Sequence, residues 1–156
     1  MTTRTEATAA PSSMTLPGHG EVLISPFTDE DYGEFERWVQ DSYFEIAARN
    51  VDRVPKLMQR EFMHDVWQTV CNITITDPRA LRLMATLDGA SRVLWISIRR
   101  RHPAVQLHEV RDAITDDKLR RMAMAKFDSL NGGLEKKEEA VAEKEPTSTT
   151  AISTEP

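Results

Sequence analysis

Three kinds of residue in this chain could do chemistry: two histidines close together, a run of arginines and a lone cysteine. His102 and His108 flank a proline turn, and His108-Glu109 begins like the zinc-protease pattern HExxH, in which two histidines one helical turn apart share a metal. Position 112 is Asp112, so the second histidine is missing, and no cysteine lies nearby in sequence to complete a ligand set. Arg79, Arg82, Arg92, Arg99, Arg100 and Arg101 gather within one stretch against only Asp88, a pattern that could meet phosphates. A helix-turn-helix would need a polar and basic recognition helix after Pro103, but that segment carries Glu109 and Asp112 beside Arg111. The arginines are better explained as cations at a helix C-terminus, where the dipole favours them, paired with an acidic first helix. Cys71 lies beside Val70 and Ile73, as a half-buried structural thiol would. No P-loop, dinucleotide fingerprint or nucleophile elbow is present. The expectation is a protein without catalytic, cofactor-binding or metal-ligating residues.

The side chains with most to offer a partner are aromatic and methionine. Trp38 falls off the Tyr32–Phe35–Val39 stripe, Phe44 sits to one side of it, and Trp67 borders the Val66 line. With Met63 these form the candidate partner-binding set: Trp38, Phe44, Met63 and Trp67. Met58, Met63, Met84, Met122 and Met124 would make such a surface adaptable, because the thioether chain repacks easily.

These residues need helices to hold them. Thr28 is set to cap a helix whose first turn holds Asp29, Glu30 and Asp31 and which exits at Arg49-Asn50. A second should start at Pro55, run to about Ile75 and bury Leu57, Met58, Phe62, Val66, Thr69, Val70 and Ile73. Asp77-Pro78 opens a third, ended by Asp88-Gly89. Ser91 caps a fourth, SRVLWISIRRRH, whose Val93, Leu94, Trp95, Ile96 and Ile98 cover nearly every side and place it centrally. Pro103 stops it and pushes His102 out of the helical region. A short fifth helix holds Leu107, Val110 and Ile114. A sixth, capped by Thr115, runs to the stop at Asn131-Gly132. EVLISPF (21–27) reads as a short extended segment with no obvious strand partner.

The fold class expected is all-α, a small bundle of five to six helices with disordered tails. Its domain covers 21–131, between a Thr/Ala/Pro-rich tail at 1–20 and a charged, Thr/Ser-rich tail at 132–156. At 156 residues one core is expected. A net charge of −5 disfavours a dedicated nucleic-acid binder, and a single cysteine suits a reducing compartment. No apolar leader or 18-residue apolar run is present, so neither export nor membrane insertion is expected.

The run VLWISIRRRHP followed by QLHEVRDAIT resembles the tail assembly chaperones of long-tailed bacteriophages, which carry a helix of the form LLWLxLRRxHP and then a short helix ending in a hydrophobic–Thr step. Leu94, Trp95, Ile96, Ile98, Arg99, Arg100, His102 and Pro103 carry the first part; Val105, Leu107, Glu109, Val110 and Ile114-Thr115 carry the second. TDEDYGEFERWV resembles the family's N-terminal helix, and the likeness spans about residues 24–130. The resemblance implies a soluble helical protein that binds the tape measure protein in the host cytoplasm and is absent from the mature virion. It also implies a frameshifted longer form that reaches the tail tube protein, and leaves homo-oligomerisation open. A small DNA-associated regulator and a phage structural connector are the competing expectations.

Overall fold

The computed structural model describes residues 12–132, and the expected tails outside that range are not described. The all-α class holds: among the described residues six α-helices pack around one core, with a two-stranded hairpin at the edge. The helices are α1 (Asp29–Asn50), α2 (Gln59–Cys71), α3 (Pro78–Ala85), α4 (Leu87–Arg99), α5 (Leu107–Ala113) and α6 (Asp117–Leu130).

α4 is the axis of the fold. It touches α1, α3, α5 and α6 and buries Ala90, Val93, Leu94, Ile96 and Ile98. Phe35 and Val39 from α1, Val110 from α5 and Ala123 and Phe127 from α6 belong to the same core. Phe27 meets Tyr32 and Phe127 edge-on, with ring centroids 5.2 and 4.8 Å away, an arrangement that aromatic quadrupoles favour. Asn131, just past α6, ties this corner by accepting from Phe27 N (2.9 Å) and the Tyr32 hydroxyl (3.2 Å).

The first correction concerns the N-terminal boundary. Residues 12–20, expected in a disordered tail, form a hairpin from β1 (Ser12–Leu16) and β2 (Gly20–Ile24), which pair antiparallel with Met14 opposite Val22. The extended segment expected at 21–27 therefore has a partner after all. Leu16-Pro17-Gly18-His19 closes the hairpin with His19 N bonded to Leu16 O (3.1 Å). Pro17 supplies the fixed φ of the first turn position, and Gly18 supplies the positive φ (84°) of the second. Leu16, Val22 and Ile24 enter the core.

Other differences are at helix ends. α2 stops at Cys71 rather than Ile75, because the β-branched ITIT run leaves the helix and drops Ile73 and Ile75 into the core. Its backbone is held by α1 side chains: Gln40 donates to Ile73 O (3.1 Å), and Glu36 accepts from Ile75 N (2.8 Å). Cys71 is consequently exposed, not half-buried. α3 ends at Ala85, and Thr86 caps α4 through Gly89 N (3.1 Å), so Asp88-Gly89 is the first turn of α4 instead of a stop. Ser91, expected as that cap, is buried inside the helix with its hydroxyl on Leu87 O. Asp116, not Thr115, caps α6 through Leu119 N (3.0 Å).

Candidate partner-binding surface

The second half of α1 and the whole of α2 form a helical hairpin that carries far more apolar surface than the core takes up. Two short 3-10 turns, Val51–Arg53 and Lys56–Met58, connect the helices. Of α2, only Val70 is fully buried. The buried face expected for this helix is therefore mostly wrong: Leu57 is 99% exposed, Met58 and Thr69 are exposed, and Phe62 and Val66 are half-buried. Ile46 of α1 is 50% exposed and Trp67 of α2 is 56% exposed. Between the helices runs a groove of about 360 Å³ lined by Tyr43, Ile46, Ala47, Phe62, Val66 and Val70, with Asp65, Thr69 and Arg79 beside them.

The four candidate residues divide. Phe44 and Trp67 come together across the hairpin, ring centroids 5.8 Å apart and planes at 86°. Met63 lies half-buried on α2. Trp38 is elsewhere, packed on Phe35 (5.4 Å) with the Arg92 guanidinium 5.5 Å from its ring centroid. Leu57 and Met58 are surface residues that the sequence placed on the buried face of the second helix. A clue was available, because apolar side chains on residues 57–70 wrap more than half the helix circumference, and a peripheral helix buries only one stripe.

The base of this hairpin is tied to α3. Tyr43 donates to Arg79 O (3.2 Å), joining α1 to α3. Asp77 caps α3 through Arg79 N and accepts the Arg79 side chain at 2.9 and 2.8 Å. That side-chain pairing with Arg79 holds the Asp77 carboxyl below the usual carboxylate range.

The residues first considered for chemistry are occupied structurally. Arg99 donates to both carboxylate oxygens of Glu34, and its guanidinium lies 4.5 Å from the Trp95 ring centroid. Arg100 bonds to buried Asp31 (2.6 Å) and to Thr28 Oγ1 (3.0 Å), so it ties α4 to the capped end of α1. This is the pairing with the acidic first helix that the sequence suggested. His102 Nε2 accepts from Leu23 N (3.0 Å) on the open edge of β2. Glu109 accepts Gln106 N (2.8 Å) at the start of α5 and meets His19 Nε2 (3.0 Å), two donors that lower its pKa. Among the described residues no three His, Cys, Asp or Glu side chains gather as metal ligands, and no helix is long and apolar enough to cross a membrane. Compared with known proteins, the chain matches no family model, no curated protein and no solved structure.

Proposed function

We propose that this protein is a tail assembly chaperone of a long-tailed bacteriophage. It holds the apolar-striped helices of the tape measure protein in solution until the tail tube polymerises around them. The observation that carries the reading is the α1–α2 hairpin, which presents Ile46, Leu57, Met58 and Trp67 to solvent around an apolar groove. Exposed apolar surface of this kind marks a place where another molecule docks. A helix-in-groove contact would bury these side chains at about 1.5–3 kcal/mol each, part of which the entropy of association offsets. Several weak, reversible contacts along a long client suit a chaperone better than one tight contact. The reading is of a binding protein without catalysis, working in the host cytoplasm and left out of the virion, with a longer frameshifted form reaching the tail tube protein.

The DNA-associated alternative loses two of its cations, because Arg99 and Arg100 are committed to Glu34 and Asp31. The connector alternative differs in location, because a connector stays in purified virions.

The test is co-expression with the tape measure protein of the same phage. The client's soluble fraction should rise severalfold and the two should co-purify. Leu57→Ser with Trp67→Ser should abolish both effects while the chaperone itself stays soluble. A client that stays insoluble and fails to co-purify with the unaltered protein would overturn the reading.

A further inference from the structure

A second concave surface lies beside α4, shares no lining residue with the groove of the hairpin arm, and is organised around a cation with no anion partner among the described residues. Arg92 is half-buried, with its guanidinium carbon 5.5 Å from the Trp38 ring centroid and 5.9 Å from that of Trp95. Among the described residues it has no ion-pair or hydrogen-bond partner, in contrast to Arg99 and Arg100 on the same helix. Asp88, one turn earlier on α4, is engaged by Arg111 at 3.1 Å. Arg92 lines a cavity of about 590 Å³ with Trp38 and Leu107 as apolar walls and Ser42, Gln106 and His108 as polar ones.

Aromatic faces hold a guanidinium in place but leave its in-plane N–H donors unused, and those donors match the two oxygens of a carboxylate. Half-buried cations are normally paired, so the cavity is electrostatically incomplete. Beside Arg92 the cavity is lined by the Arg111–Asp88 pair and no other acid, so its arginines exceed its acids by one, a balance that admits one carboxylate. A polyphosphate would need several more cations. The Trp38–Leu107 wall gives a place for an apolar side chain beside the acid.

We infer that this cavity is a docking site for an acidic peptide segment, in which Arg92 takes a Glu or Asp carboxylate and the Trp38–Leu107 wall takes a neighbouring apolar side chain. The site shares no residue with the α1–α2 groove and does not depend on the client proposed above. It assigns Trp38 a binding role different from that of Phe44 and Trp67.

The three tryptophans give three separate indole N–H signals in a nitrogen-15 NMR spectrum of the full chain. The probe is a short capped peptide with one glutamate next to one leucine, and its control has glutamine instead. The glutamate peptide should move the Trp38 indole signal saturably and leave that of Trp67 in place. The glutamine peptide should bind at least about tenfold more weakly. Arg92→Gln should remove the response. Arg92→Lys, which keeps the charge and the helix but loses the planar fork, should weaken it several-fold, and so covers the case in which the Gln variant fails to fold. An unmoved Trp38 signal, equal binding of the two peptides, an undiminished response in Arg92→Lys, or tighter binding of inorganic phosphate than of the glutamate peptide would each overturn the assignment. Soluble tape measure protein in the co-expression test would survive any of these outcomes.

Discussion

A methyl group at position 89 has nowhere to go. A Cβ built there would lie 1.9 Å from Leu83 O and 2.9 Å from Met84 Cα, backbone atoms of α3 that no rotamer change can move. Gly89 allows α4 to start directly against the end of α3, and its N–H feeds the Thr86 cap. Gly89→Ala should destabilise the protein by about 3 kcal/mol, even though alanine is the better helix former, and urea unfolding would read this as a lower midpoint at unchanged slope. A neutral or stabilising result would mean the helices can slide apart. Gly89 read as a helix stop in sequence because Asp-Gly so often ends one; its real constraint is a tertiary contact, invisible to local pattern. Glu109 is a second residue whose environment matters. The Gln106 N–H and His19 favour its charged form and lower its pKa, so its contribution to stability is present above the unfolded carboxylate range. That contribution is lost as pH falls through the folded value. The gap in urea midpoint between wild type and Glu109→Gln should therefore be widest near neutrality and close in acid, and a gap that persists in acid would assign the effect to packing.

At the scale of elements, the starts of α1 and α3 were legible, those of α2 (Gln59, not Pro55), α4 and α6 were misplaced, and strand pairing was missed. Thr28 caps α1 with Asp31 reaching back to Thr28 N (2.9 Å), the reciprocal arrangement expected where an acid follows a threonine by three residues. The hairpin hid in a segment whose Thr, Ser, Ala and Pro content resembles a tail. Yet Pro17-Gly18 between SMTL and EVLI is a turn flanked by alternating apolar residues. A two-stranded hairpin alone is marginal in water, so something must protect its edges. Ser13 and Leu23 face each other across the ladder and turn their backbone groups outward. Lys126 Nζ covers Ser13 O at 2.5 Å, and His102 Nε2 covers Leu23 N. Ser25 N continues the docking on Ser97 O of α4 (3.1 Å). The histidine that first suggested a metal is therefore an edge cap, a role that depends on residues 79 positions away. His102→Ala should leave the Leu23 N–H without its acceptor and cost about 1 kcal/mol. Amide exchange should quicken at Leu23 and its hairpin neighbours while the α4 amides stay protected; uniform acceleration across the chain would show instead that the hairpin and helices open together.

On the scale of the whole molecule, the chain divides into a close-packed body around α4 and an arm that contributes little to it. The body was predictable because Val93 to Ile98 leave no polar face, which forces α4 inward. The arm was misjudged because pattern reasoning sends every apolar stripe to the core, whereas α2 has only Val70 fully buried and leaves Leu57 and Trp67 to solvent. Residues kept apolar without being buried gain nothing from folding, and that separation of stability from surface can be measured. Leu57→Ser should change the free energy of unfolding by no more than about 0.5 kcal/mol, the range of ordinary surface substitutions, and Trp67→Ser by no more than about 1.5 kcal/mol, the worth of its edge-on contact with Phe44. Val70→Ala, on the same helix but facing inward, should cost about 2 kcal/mol. Hydrogen exchange should mirror the contrast, with amides of Gln59–Cys71 opening in a smaller step than those of Leu87–Arg99. If the two exposed substitutions proved as costly as Val70→Ala, the arm would be packed in solution, and its apolar surface would belong to the fold and not to a partner. Unchanged stability combined with lost client solubilisation would place these side chains on the molecule for binding alone.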